Sequence, residues 1–157
     1  MTTQLDMFPP ADAGSLLRAA RALMECGADK MTVSSWDAAK AYLHLTHGNP
    51  RAEVFRVLFL DRKNRLIADQ VMGTGTVDHC PAYPREILRA AIMADACSMI
   101  LCHNHPSGDP TPSEADIRIT RDLVKAGSIL RIDLLDHVII GDPGKRTSLR
   151  ELGYFHN

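Results

Sequence analysis

His103-Asn104-His105-Pro106-Ser107-Gly108-Asp109-Pro110-Thr111-Pro112-Ser113-Glu114-Ala115-Asp116 joins an apolar run, Met99-Ile100-Leu101-Cys102, to an amphipathic stretch from Ile117 to Ala126. That order predicts a strand, a tight loop and a helix. Residues two apart on a strand point to the same face. With strand geometry kept through His105, the imidazoles of His103 and His105 converge on one side, roughly 7 Å apart at the backbone. Two nitrogens can then reach one ion at about 2.0–2.1 Å. Pro106, Gly108 and Pro110 turn the chain, which can bring Asp116 back toward the histidines. Two histidines and a carboxylate, with a fourth position for water, form a recurrent catalytic zinc set, and the same ligands suit iron or nickel.

Helix capping explains part of the same stretch. Thr111-Pro112-Ser113-Glu114 reads as a capping box with Pro at the first helical position, and Ser113 to Asp116 fits the box two residues later. Capping alone accounts for Thr111, Ser113, Glu114 and Asp116. It does not account for two alternating histidines at the end of an apolar strand, where Val or Ile would bury at less cost. Cys102 abuts His103, but on a strand it faces away from both histidines and reads as core.

Upstream, Glu53-Val54-Phe55-Arg56-Val57-Leu58-Phe59-Leu60-Asp61 is the clearest strand. Glu53, Phe55, Val57 and Phe59 share one face; Val54, Leu58 and Leu60 share the other. A glutamate among apolar neighbours is either an exposed carboxylate at a strand start or one partly desolvated at the mouth of a site, its pKa pushed toward neutrality.

His-x-His, seven residues, then Ser-x-x-Asp resembles the signature of the JAB/MPN-domain metallopeptidases, the JAMM group. The wording from His103 to Pro110 resembles the RadC-like branch, as do Pro84-Arg85-Glu86-Ile87 and Asp136-His137-Val138-Ile139-Ile140-Gly141. The resemblance spans roughly Met31 to Tyr154. Longer RadC-like chains resemble a helix-hairpin-helix module joined to this domain, and this chain reads as a short form without it. The resemblance implies an α/β (α+β) fold with a curved, mixed, mostly antiparallel sheet flanked by helices. It implies one Zn²⁺ per chain held by His103, His105 and Asp116, with Glu53 as general base and Ser113 as hydrogen-bond donor to the developing oxyanion. The implied substrate is a protein or peptide.

The 157 residues suit one domain with a single core, and 45% hydrophobic with 24% charged residues is ordinary for a soluble globular chain. A net charge of −1 gives no broad basic footprint and argues against nonspecific nucleic-acid binding. Cys26, Cys80, Cys97 and Cys102 show no Cys-x-x-Cys spacing. No secretory signal or membrane-length apolar run is present, so free thiols in the cytoplasm are expected.

Residues 1–11 read as a flexible tail and 12–157 as one domain with its core at about 31–154. Leu16, Leu17, Ala20, Leu23 and Met24 follow helical spacing up to Gly27, a candidate interface for a homo-oligomer. A helix is expected from a Ser34 cap to about His47, with His44 and His47 as ordinary histidines. Arg62-Lys63-Asn64-Arg65 reads as a hairpin turn into a strand over 66–72, Gly73-Thr74-Gly75 as a bend or bulge, and Asp78-His79-Cys80 as loop. Helices are expected from Pro84 to about Ala96 and from Ser113 to about Ala126, the second stopped by Gly127. Two strands then follow, Ile129 to Leu135 and His137 to Ile140, broken at Asp136. Asp136-His137 reads first as a loop or strand-end hydrogen bond, and otherwise as a further ligand or support for one. Two alternatives to a hydrolase remain: a non-catalytic metal-binding interaction module, and a DNA-repair-associated protein.

Overall fold

The computed structural model describes residues 36–48, 50–75 and 82–156. The expected tail, the helix over 16–24, the Ser34 cap and the Asp78-His79-Cys80 loop lie outside the described residues. The elements run α1 (Trp36–His47), β1 (Val54–Leu60), β2 (Leu66–Thr74), α2 (Pro84–Met93), β3 (Ser98–Asn104), α3 (Glu114–Leu130), β4 (Asp133–Ile140) and β5 (Arg146–Ser148). The strands form one open sheet in the order β2-β1-β3-β4-β5. Only the β3–β4 pair is parallel, because α3 carries the chain back between them. No helix among the described residues is long and apolar enough to cross a membrane.

Side-chain alternation divides the core in two. Phe55, Val57, Phe59, Met99 and Leu101 pack with Ile87 and Ala91 of α2 and Leu123 of α3. Leu58, Leu60, Ile100 and Cys102 pack with Ala39, Tyr42 and Leu43 of α1. The sheet is therefore covered on both faces, and β3 is buried along its whole length. The face assignments read from β1 hold, and Cys102 lies in the core on the face away from His103. Arg56, Asp69, Tyr42 and Thr46 form a hydrogen-bonded cluster that ties α1 to the β1–β2 hairpin. There the Tyr42 hydroxyl is pushed up to about 12, by burial first and then by its bond to the Asp69 carboxylate.

Several boundaries differ from expectation, three of them for a clear local reason. Helix α2 ends at Met93, because Asp95 takes a left-handed conformation (φ 52°) and Ala96 N–H turns back to the Ala91 carbonyl. Helix α3 does not stop at Gly127. It runs to Leu130, and Arg131 provides the left-handed cap at φ 58°. Gly127 is helical, and a Cβ there would overlap the Ile132 carbonyl, so this glycine permits close approach of the returning chain. Strand β4 is continuous through Asp136. The irregularity lies one residue earlier: Met99 pairs with Leu134 and Ile100 with Asp136, leaving Leu135 as an extra residue. That bulge reverses the alternation. Before it Ile132 and Leu134 face the α2–α3 side; after it Ile139 packs on Ile117 of α3, and Val138 and Ile140 face α1.

Candidate metal centre

The odd-numbered residues of β3 face α3, so His103 ends the row begun by Met99 and Leu101. His105 follows one residue beyond the strand, its N–H bonded to the Ile140 carbonyl at 2.8 Å, which keeps it extended beside β4. The loop then delivers Ser113 as N-cap of α3, and Asp116 sits at the third helical position. Its Oδ2 accepts from Ser113 N–H and Ser113 Oγ, both at 2.7 Å. Asp116 N–H donates back to Ser113 Oγ at 3.2 Å. The capping box is therefore real. The same carboxylate also faces both histidines: His103 Nε2 lies 3.2 Å from Oδ1 and His105 Nε2 lies 3.4 Å from Oδ2. The two Nε2 atoms are 3.0 Å apart.

These separations test whether the residues fit a metal ion. Bonds of about 2.0–2.1 Å in a tetrahedron place neighbouring ligand atoms about 3.3–3.4 Å apart. The observed 3.0, 3.2 and 3.4 Å surround that edge length. His103, His105 and Asp116 can thus hold one ion, each offering one atom. His105 Nδ1 donates to the Asp109 carbonyl at 2.9 Å, which leaves its Nε2 lone pair toward the cluster. The Asp116 carboxylate, by hydrogen bonding first, raises the His105 pKa above 6.5. Burial pushes the Asp116 carboxyl up, but its contacts with His103 and His105 outweigh this and hold it well below the usual carboxylate range.

His103 is supported from behind. Its Nδ1 lies 2.8 Å from His137 Nε2, and His137 Nδ1 lies 2.7 Å from Thr120 Oγ1. Phe55 stacks on His103 with ring centroids 5.6 Å apart. His137 is wholly buried, and burial holds its pKa well below 6.5. Asp136 instead accepts from His137 N–H, Arg150 N–H and Ser148 Oγ, which anchors β5 and the following turn. Of the readings of Asp136-His137, the backbone bond belongs to Asp136, the contact behind His103 belongs to His137, and neither joins the His103, His105 and Asp116 group.

Glu53 directly precedes β1. The β1–β3 ladder pairs Phe55 with His103, and continuing it two residues sets Glu53 across from His105. The Glu53 carboxylate is close enough to help hold the His105 pKa up. Asn104, between the two histidines, faces the other way. Its Oδ1 accepts from Val54 N–H at 2.9 Å and meets His47 Nε2 at 3.1 Å; its Nδ2 donates to the Pro50 and Ala52 carbonyls, both at 3.0 Å. Asn104 therefore fixes the segment that carries Glu53, and the reading of His47 as an ordinary histidine overlooked this bond. Asn104 and Thr120 were absent from the sequence-based site. Their signals were the opposite parity of Asn104 within the motif and the four-residue spacing from Asp116 to Thr120.

The loop between the histidines and α3 is fastened to the β4–β5 turn. Gly108 N–H bonds the His105 carbonyl at 2.9 Å, and its own carbonyl accepts from Asp142 N–H at 2.9 Å. Gly108 has φ 86°, and a Cβ there would overlap the Asp142 carboxylate. Gly108→Ala is expected to cost about 1–3 kcal/mol in urea denaturation and to weaken metal uptake by displacing His105. Unchanged stability would mean the loop relaxes freely around this position.

The family model described as RadC-like JAB domain matches residues 33–154, from just before α1 to just beyond β5. That range contains Glu53, both histidines of the motif, Ser113, Asp116, Thr120 and His137 within one sheet-and-helix unit, and the chain belongs to the RadC-like JAB domain family.

Proposed function

We propose that this chain is a zinc-dependent hydrolase that cleaves an amide bond, peptide or isopeptide. The observation that carries the reading is the convergence of His103, His105 and Asp116: the two Nε2 atoms lie 3.0 Å apart, and each meets one oxygen of the Asp116 carboxylate, at 3.2 and 3.4 Å. A zinc ion held by His103, His105 and Asp116 would supply an acidified water, with pKa about 7, and a positive charge for the scissile carbonyl. Glu53, opposite His105 and outside the ligand trio, accepts the proton of the attacking water and returns it to the leaving nitrogen. Ser113 Oγ donates to the carbonyl oxygen as negative charge develops there. For this its hydroxyl turns away from Asp116 Oδ2, which keeps its bond from Ser113 N–H. Asn104 keeps the Glu53 segment in place throughout.

One observation favours a second reading, a metal-holding interaction module. The only hydroxyl proton of Ser113 is directed at Asp116 Oδ2 within the capping box, not at a substrate position. The test is metal analysis by mass spectrometry on protein purified without chelator or affinity-tag metal, followed by a peptide and isopeptide library. The expected result is about one zinc per chain and cleavage of some library member. Zinc with no cleavage of any member would favour the interaction module. No metal, and no uptake on titration with zinc, would overturn both readings.

A further inference from the structure

The hydrogen bonds behind His103 determine where each proton sits. Thr120 Oγ1 lies 2.6 Å from the Asp116 carbonyl oxygen, which can only accept, so the hydroxyl hydrogen goes there. The hydroxyl oxygen must then accept from His137 Nδ1 at 2.7 Å, so that nitrogen carries a hydrogen. His137 is wholly buried, and an imidazole placed there between a hydroxyl and a second imidazole is neutral. Its Nε2 is therefore bare and accepts from His103 Nδ1 at 2.8 Å. His103 carries its ring hydrogen on Nδ1 and turns the Nε2 lone pair toward His105 and Asp116.

We propose that Thr120 and His137 are positioning residues that lock His103 in the Nδ1–H tautomer, so that Nε2 is presented to a metal before one arrives. The inference rests on reading the cluster as a metal centre and adds the device that orders its protons. The lock closes on one residue. Asp116 contributes its backbone carbonyl at one end of the chain of bonds and its carboxylate at the other. Thr120 reaches that carbonyl because it lies one helical turn further along α3. His137 reaches His103 because, after the Leu135 bulge, the odd-numbered residues of β4 lie on the α3 side. A hydrogen-bonded partner on the far nitrogen of a metal-binding histidine fixes its tautomer and orientation, and its loss weakens metal binding about 10–100-fold.

Two measurements test this. Long-range proton–nitrogen correlation spectra of ¹⁵N-labelled, zinc-free wild type are expected to show Nδ1–H tautomers for both His103 and His137. An Nε2–H tautomer at His137 would overturn the proton order, whether or not the protein later binds zinc. Zinc affinity, measured by competition with a chromophoric chelator, is expected to fall about 10–100-fold in Thr120→Val and to return in Thr120→Ser, which restores the hydroxyl. Wild-type affinity in a folded Thr120→Val protein would overturn the positioning role. A wild type that takes up no zinc would sink the metal reading instead. If Thr120→Val does not fold, the spectra of the wild type decide.

Discussion

His103→Ala and Asp116→Ala are each expected to purify with almost no zinc, where the wild type is expected to carry about one per chain. Each removes one of three converging ligand residues, whose Nε2 atoms lie 3.0 Å apart and meet the Asp116 carboxylate at 3.2 and 3.4 Å, and two remaining ligands do not make a closed site. The two variants differ in what else they lose. His103 is wholly buried among Phe55, His105 and His137, so its removal also leaves a cavity and an unpartnered His137 nitrogen. Asp116→Ala removes one half of the α3 capping box, worth on the order of 1 kcal/mol. Asp116→Asn separates the two roles: an amide oxygen can still accept from Ser113 N–H, but the charge is gone. It should therefore keep most of the helix stability and lose most of the zinc. Added zinc should raise the unfolding temperature of the wild type alone, because a ligand at about a thousand times its Kd stabilises the native state by about 4 kcal/mol. Uptake should also weaken as pH falls. Below the raised His105 pKa a proton occupies Nε2 and competes with the metal. Retention of zinc at wild-type stoichiometry in either alanine variant would remove that residue from the ligand set.

Glu53→Gln will keep the zinc and lose the turnover. Glutamine matches glutamate in size and leaves the backbone bond from Gly75 N–H to the residue 53 carbonyl untouched. It cannot accept the proton of the attacking water. General-base removal lowers rates by about 10²–10⁴-fold, and the loss should appear in kcat once a cleaved substrate is in hand. A Glu53→Gln protein with full activity would take Glu53 out of the mechanism. One that lost its zinc would instead make Glu53 a ligand.

Much of the site was legible because its logic is local. Two histidines of the same parity at the end of an apolar strand, a turn, and an aspartate near a helix start require only strand and helix periodicity to bring together. The face assignments of β1 followed from the same alternation. The errors came where one residue had to be counted against a distant neighbour. Gly127 looked like a helix stop, since a glycine after a periodic run usually is one. Its actual constraint is the Ile132 carbonyl pressed against it, which no local pattern shows. Asp136 looked like a break for the similar reason that an acidic residue interrupts an apolar run; in fact it is buried and satisfied by β5 and the turn beyond. The partners of Thr120, His137 and Asn104 depend on which element packs against which face, and parity and spacing along the chain only mark these residues without naming what they meet.

The extra residue in β4 gives the chain beyond it a reading frame. Leu135 is only partly buried, and its identity matters little to the metal residues. Its place outside the ladder matters to all that follows. Were it drawn into the ladder opposite Ile100 and the pairing before it kept, each later side chain of β4 would slip by one and exchange faces. His137 would turn from His103 toward α1, and Val138 and Ile140 would leave the apolar layer they now fill. Replacing this residue and pairing it are therefore different kinds of change: one alters a side chain at the edge of the core, the other rewrites the inside and outside of the strand that stands behind the site.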